Sequence, residues 1–220
     1  MSIMLSASTN PPKTKEEMFD YIKKLDKTDV DYIHCDIMDG KFVEAKTFDY
    51  HDVKRIKEIT TKKLDVHLMI KHPFLYLKRY AKAGADIITV HFEAFKTKNN
   101  VIKALNKIRK LGCFAGLSIN PSTNVFDILD LIPYCDMILI MSVVPGKSGQ
   151  EFIGDTYSKL DNLNKFLKKQ KLDVFVEVDG GVNLDNIKNL NDLNVNAVVM
   201  GSALFKAKNK KAVIDAVHNA

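Results

Sequence analysis

The feature that most constrains the fold is an alternation of short apolar runs with longer amphipathic segments along nearly the whole chain. The short runs are rich in Val, Ile and Leu, as buried strands are, whereas the longer segments repeat apolar residues at helical spacing. This pattern predicts eight strands, at residues 2–6, 31–36, 63–69, 86–91, 114–119, 137–141, 174–179 and 197–201. It also predicts helices between them, for example in KEEMFDYIKKL, VIKALNKIRKLG and NLDNIKNLNDL.

Strands that alternate with helices favour an α/β fold with a parallel sheet. Eight strand–helix units within 220 residues predict a (β/α)8 TIM barrel, with an open doubly wound sheet as the alternative. We find no linker rich in Pro and Ser that would divide the sequence, so we expect residues 1–220 to form a single barrel domain.

Composition argues against several classes of protein. The net charge of +6 comes from lysines scattered through helical segments without interleaved aromatic residues, so we expect no nucleic-acid partner. The sequence has no run of about 20 apolar residues and no secretory signal pattern, so we expect no membrane contact and a cytoplasmic location. The three cysteines form no CxxC pair, so we predict neither a disulfide framework nor a thiolate metal site.

Ionisable residues recur at the ends of the predicted strands. His34 and Asp36 end the second strand, His67 lies near the end of the third, and Asp179 ends the seventh. In a barrel these ends meet at one mouth, where active sites of this fold are assembled. Because burying two carboxylates without a cation is expensive, the set indicates a divalent metal. Zn, Fe, Mn and Co all accept nitrogen and oxygen ligands, so the ligand types alone do not identify the metal.

Glycines are concentrated in the loops after the last three predicted strands. In such loops small residues leave backbone N–H groups free to cradle a phosphate, which is where this fold often binds one. The candidate phosphate-binding residues are Gly146, Gly149, Gly180, Gly181, Gly201 and Ser202.

These residues lie in stretches that resemble the signature sequences of the ribulose-phosphate 3-epimerase family. The matching stretches are HCDIMDG, LDVHLMIKHP, AGADIITVHFE, MILIMSVVPGKSGQEFI, EVDGGVN and VMGSALF, which together span about residues 30 to 206. The resemblance implies a metal-dependent isomerase of the pentose phosphate pathway that interconverts D-ribulose 5-phosphate and D-xylulose 5-phosphate. Such an enzyme removes and returns a proton at C3 through an enediolate.

Carried over to matching positions, the resemblance implies a role for each site residue. The implied metal ligands are His34, Asp36, His67 and Asp179, with His67 also touching substrate. Asp36 and Asp179 would be the acid/base pair, since inversion needs a proton-transfer group on each face of the planar intermediate. The implied site-lining residues are Met38, Met69 and Met141.

Three stretches depart from the pattern usual in relatives. KFVEA stands where relatives usually read HFVPN, and GKSGQ stands where they read GFGGQ. Lys147 and Ser148 therefore join the expected phosphate-binding residues, and Lys147 adds a positive charge. Near the start, IMLSAST replaces PSILSAD, and Ser6 is expected to contact substrate if it matches the first serine of that motif.

The departures leave the catalytic residues unchanged, but they do not determine which ketose phosphate is the substrate. The alternatives are a 3-epimerase of another ketose phosphate, such as allulose 6-phosphate, and a catalytically silent barrel that binds a sugar phosphate. The expected partner is a phosphorylated ketose, and a homo-oligomer is possible. His91 and Glu93 receive no role in the site, and we expect His91 to hydrogen-bond behind it or to serve the fold alone.

Overall fold

Eight parallel strands pair in chain order, and the eighth pairs with the first, which closes the sheet into a barrel. The computed structural model describes residues 2–220. The strands are β1 (Met4–Ser8), β2 (Tyr32–Met38), β3 (Lys63–Met69), β4 (Ile87–His91), β5 (Phe114–Ile119), β6 (Met137–Met141), β7 (Phe175–Asp179) and β8 (Ala197–Met200). The predicted (β/α)8 barrel is confirmed, and the open sheet is excluded because β1 and β8 are hydrogen-bonded.

Helices surround the sheet, and four of the eight begin at a residue whose side chain caps the helix. The helices are α1 (Lys15–Leu25), α2 (Tyr50–Ile59), α3 (Leu77–Lys82), α4 (Lys98–Lys110), α5 (Asp155–Gln170), α6 (Ile187–Asp192), α7 (Ser202–Lys206) and α8 (Lys210–His218). Thr14 accepts a hydrogen bond from the Glu17 N–H at the start of α1, and Asp49 and Asp52 form a capping box at the start of α2. Gly112 follows the last turn of α4 with φ +84°, which a residue without a side chain adopts freely.

The connection from β5 to β6 differs from the predicted strand–helix repeat. It contains two 3₁₀ helices, Val125–Ile128 and Ile132–Tyr134, in place of an α-helix. Pro133 is at the second position of the later one, and Pro121 precedes the earlier one. A proline lacks the N–H that an α-helix interior requires, so this segment is broken into short turns.

Strand β1 also differs from its prediction, because it covers Met4–Ser8 and not residues 2–6. The apolar run ends at Leu5, but the chain continues as a strand through Ser6 and Ser8. Both serine side chains are buried and bond to aspartates of other strands. Serines fit in this strand because their hydroxyl groups have polar partners in the barrel interior, near the C-terminal ends of the strands.

Side chains alternate between the two faces of each strand and so divide into two environments. On β2, Ile33, Cys35 and Ile37 belong to the hydrophobic layer that packs against the helices. Their neighbours His34 and Asp36 bond to residues of other strands across the barrel interior. Within residues 2–220, none of the helices is both long and apolar enough to cross a membrane.

Candidate active site

Four side chains from three strands converge inside the C-terminal mouth of the barrel. His34 and Asp36 come from β2, His67 from β3 and Asp179 from β7. Each offers one nitrogen or oxygen atom, and these four atoms all lie within 4.8 Å of one another. The structure therefore brings together all four residues that the sequence indicated as metal ligands.

Asp36 is the centre of this cluster. Its Oδ1 lies 3.2 Å from His34 Nε2 and 3.3 Å from His67 Nδ1. Its Oδ2 accepts hydrogen bonds from the Ser8 hydroxyl at 3.2 Å and the Asn10 amide at 3.0 Å. Burial alone would raise the pKa of Asp36, but the charge of His34 and the hydrogen bond from its Nε2 lower that pKa well below its usual value. Asp36 is therefore a carboxylate.

Asp179 has the opposite electrostatic environment. Burial and the negative charge of Asp36 together raise its pKa from 3.8 to about 7, although the positive charge of His34 lowers it. Its Oδ2 lies 3.7 Å from both His34 Nε2 and His67 Nδ1. In the metal-free protein the two carboxyl groups thus differ in proton affinity, although they share the same pair of imidazoles.

His34 is held from behind by a second buried carboxylate. Its Nδ1 lies 2.5 Å from Asp65 Oδ2, which also accepts a hydrogen bond from the Ser6 hydroxyl at 3.0 Å. Burial lowers the pKa of His34, but the charges of Asp65 and Asp36 raise it well above its usual value. The ring is therefore fixed with Nε2 directed toward Asp36 and Asp179.

The spacing of the four atoms fits a single divalent cation. The four distances between a histidine nitrogen and a carboxylate oxygen are 3.2, 3.3, 3.7 and 3.7 Å. Ligands bound at about 2.1 Å in a tetrahedron are separated by about 3.4 Å, close to these values. The ligand set of two nitrogens and two oxygens is also one that Zn, Fe, Mn and Co accept.

A cavity of about 230 Å³ opens above the cluster. Asp36 and Asp179 line it, together with three methionines that are at most 5% exposed, Met38, Met69 and Met141. The loops after β6, β7 and β8 line it as well, through Gly146, Lys147, Ser148, Gly149, Gly180, Gly181, Gly201 and Ser202. Every residue predicted in these loops therefore faces the same cavity.

The backbone at Gly181 admits no side chain. Its φ is +64°, and a Cβ atom there would lie 2.4 Å from the backbone nitrogen of Phe152. Gly149 also has a positive φ, +77°, and a Cβ atom added to it would lie 3.7 Å from the Ser202 hydroxyl oxygen. The loops after β6 and β8 thus approach each other closely, while the loop after β7 packs on the segment that follows β6.

Two predicted substrate contacts lie outside the lining of this cavity. His67 is fully buried below it, where it contacts Asp36. Ser6 is fully buried, bonds to Asp65 and does not line the cavity, so its contact with substrate stays a prediction. Ser8, one strand repeat further along β1, lines the cavity instead. β1 extends three residues beyond its apolar run, which ends at Leu5, and this extension brings Ser8 to the cavity.

The sequence did not single out Ser8, Asn10 or Asp65 as site residues. Ser8 could have been found from strand alternation once the bounds of β1 were known, since it is two residues after Ser6. Asp65 is two residues before His67 on the same strand, so the same alternation places both on one face. Asn10 lies beyond the strand and carries no comparable signal.

Comparisons with known proteins agree with this arrangement. The profile described as the ribulose-phosphate 3 epimerase family matches residues 5–205. The chain belongs to this family. It is 43% identical over 198 residues to a ribulose-phosphate 3-epimerase of Synechocystis sp., covering 90% of this chain and 86% of the relative. It is 37% identical over 197 residues to the Bacillus subtilis protein of the same name, covering 89% of each.

Membership of the ribulose-phosphate 3-epimerase family makes the chain an isomerase. The predicted family and enzyme class are thereby confirmed. Solved structures of lower identity share the fold alone. A 3-hexulose-6-phosphate synthase from Salmonella typhimurium is 18% identical with a TM-score of 0.71, covering 100% of this chain and 97% of that one. A thiamine phosphate pyrophosphorylase from Pyrococcus furiosus is 13% identical with a TM-score of 0.64, covering 99% and 94%.

Proposed function

We propose that the protein is a metal-dependent 3-epimerase that interconverts D-ribulose 5-phosphate and D-xylulose 5-phosphate. Family membership supports the epimerisation of a pentose phosphate. The single observation that carries the metal-dependent mechanism is the convergence of His34, Asp36, His67 and Asp179 at spacings that fit one cation. Because the strands of one closed sheet supply all four, we also propose that the chain acts as a single domain.

The metal site is proposed to consist of these four side chains. Each imidazole presents one nitrogen to the cluster, and each carboxylate presents one oxygen. A divalent cation bound there would supply a Lewis acid that stabilises the negative charge of the enediolate. The donor set leaves Zn, Fe, Mn and Co as candidates.

Asp36 and Asp179 are proposed as the acid/base pair. Epimerisation removes the C3 proton, which the neighbouring C2 carbonyl acidifies, and returns a proton to the opposite face. This requires one proton acceptor and one proton donor in the same turnover. Asp36 and Asp179 both line the cavity above the cluster, so β2 and β7 each supply one carboxyl group to it. The reverse reaction uses the same two groups with their roles exchanged.

Ser8 and Asn10 are proposed to orient Asp36 for this step. Both donate hydrogen bonds to Asp36 Oδ2, which stabilises the charged carboxylate and fixes the plane of the group. Oδ1 is left facing the histidines. The three methionines above the cluster supply apolar, polarizable walls that keep water from the intermediate without adding charge.

The phosphate of the substrate is proposed to bind the loops after β6, β7 and β8. Their glycines leave backbone N–H groups accessible to an anion, and Ser202 adds a hydroxyl. Lys147, which stands where relatives usually have phenylalanine, adds a cation at the cavity rim. The same site would accept phosphorylated ketoses of similar length, so substrate choice is tested directly.

Turnover in deuterated water tests the proposal. The protein is incubated with D-ribulose 5-phosphate, and we expect D-xylulose 5-phosphate to form with deuterium at C3, in a sample whose metal content is measured in parallel. Binding of the sugar without exchange would indicate a silent barrel. Turnover of allulose 6-phosphate with inert ribulose 5-phosphate would show that the proposed substrate is wrong.

A further inference from the structure

His91 is a fully buried histidine that none of the proposed catalytic steps uses. It ends β4, and its Nε2 lies 2.8 Å from Nε2 of His67. The two ring planes differ by only 22°, and the ring centroids are 4.8 Å apart. Rings stacked face to face lie about 3.5 Å or more apart, so the 2.8 Å contact shows that the two rings meet through their Nε2 edges. This is the geometry of a hydrogen bond between two imidazoles.

The other side of His91 faces a carboxylate that is itself held in place. His91 Nδ1 lies 3.2 Å from Glu93 Oε2. The second oxygen of Glu93 accepts hydrogen bonds from the Asn120 N–H at 2.8 Å and the Thr123 hydroxyl at 2.5 Å. Glu93 therefore presents Oε2 to His91 in a fixed direction.

The direction of these hydrogen bonds follows from what each group can donate. An ionised carboxylate only accepts, so His91 Nδ1 must carry a hydrogen and donate it to Glu93. A neutral imidazole has one donor and one acceptor nitrogen, so His91 Nε2 accepts. His67 Nε2 is then the donor. The remaining nitrogen of His67, Nδ1, is left with a free lone pair.

That lone pair faces the proposed metal site. His67 Nδ1 lies 3.3 Å from Asp36 Oδ1 and 3.7 Å from Asp179 Oδ2, and both of these oxygens belong to the same cluster. An unprotonated nitrogen beside carboxylate oxygens is unfavourable by itself and becomes favourable when a cation lies between them.

We infer that His91 and Glu93 are positioning residues that hold His67 in the tautomer whose Nδ1 binds the metal ion. The inference rests on the proposed function, since the ion is the one proposed above. His34 is oriented by direct contact with Asp65, whereas His67 is oriented through a second imidazole. Neither His91 nor Glu93 touches the substrate cavity. Removing a partner behind a metal-binding histidine typically weakens metal binding about 10- to 100-fold.

The first readout needs neither metal nor activity. Long-range ¹H–¹⁵N NMR of the imidazoles in the metal-free protein reports which nitrogen of His67 carries the hydrogen. We expect the hydrogen on Nε2 in the unmodified protein. An Nε2 without a hydrogen, with the hydrogen on Nδ1 alone, would overturn the inference. Because the measurement uses the unmodified chain, it does not depend on a variant that folds.

The second readout is metal affinity, measured by competition with a chelator for Zn²⁺ and Co²⁺. In His91→Phe the ring volume is retained and the acceptor for His67 is lost, so we expect affinity to fall about 10- to 100-fold. In His91→Gln an amide oxygen can accept the same hydrogen bond, so we expect most of the affinity to return. His72→Phe, at an exposed histidine, is the matched control and should bind like the unmodified protein.

An affinity for His91→Phe within threefold of the control would also overturn the inference. Failure of the proposed function has a different signature. The unmodified protein would then bind no divalent cation and exchange no deuterium into ribulose 5-phosphate. The His67 tautomer in the metal-free protein still decides the present inference in that case.

Discussion

Replacement of Gly181 by alanine tests whether the backbone of the loop after β7 can accommodate a side chain at this position. Gly181 has φ +64°, where alanine costs about 1–2 kcal/mol because its Cβ approaches the following carbonyl. Here the new Cβ would also lie 2.4 Å from the Phe152 nitrogen and 2.7 Å from the Phe152 Cα. Since backbone atoms cannot turn away, the loop must move, at a further cost of about 1–3 kcal/mol. We expect Gly181→Ala to lower the free energy of unfolding by about 2–5 kcal/mol.

Gly112 supplies the matched control. Its φ is +84°, and a Cβ atom there would meet nothing within 4 Å, so Gly112→Ala carries only the backbone cost of about 1–2 kcal/mol. Equilibrium unfolding in urea measures both losses. Gly181 also lines the cavity, so its variant should raise KM for ribulose 5-phosphate, whereas Gly112→Ala should not. Equal losses of stability with unchanged KM in both variants would refute the reasoning about the Gly181 loop.

Four further substitutions have expected outcomes. Asp36→Asn and Asp179→Asn should each lower turnover by about 10²–10⁴-fold, measured with metal content on the same sample, and near-normal turnover of either would contradict its proposed role. Lys147→Ala should raise KM about two- to fivefold at low salt with kcat unchanged, and the difference should shrink at high salt as an exposed charge is screened. Asp49→Ala removes the capping box of α2 and should cost about 0.5–2 kcal/mol in urea unfolding, while an unchanged midpoint would show that the cap contributes nothing.

Strand bounds could be predicted from the sequence where the strand is apolar to its end or where its pattern stops abruptly. β3, β5 and β6 have the predicted bounds 63–69, 114–119 and 137–141. The predicted bounds of β1 were displaced because the second half of the strand is Ser-Ala-Ser. Serine has no strand preference of its own and lies in this strand because the barrel interior around it is polar. The helix expected between β5 and β6 is absent because prolines divide that segment.

The candidate metal ligands could be predicted from the sequence because they lie at the ends of strands. His34 and Asp36 could be placed on one face by strand alternation alone. Sequence patterns do not determine the register between neighbouring strands. The contact of His91 with His67 joins β4 to β3, and the hydrogen bond from Asn10 to Asp36 joins the loop after β1 to β2. These contacts depend on how far each strand is shifted along its neighbour, which no local pattern encodes.

The most direct test of the central claim is an anomalous diffraction map from crystals of the protein loaded with Zn²⁺. The account predicts one strong peak at about 2.0–2.2 Å from a nitrogen of His34, a nitrogen of His67 and an oxygen of each of Asp36 and Asp179. A peak bound elsewhere on the molecule, or no peak between these four side chains, would contradict it.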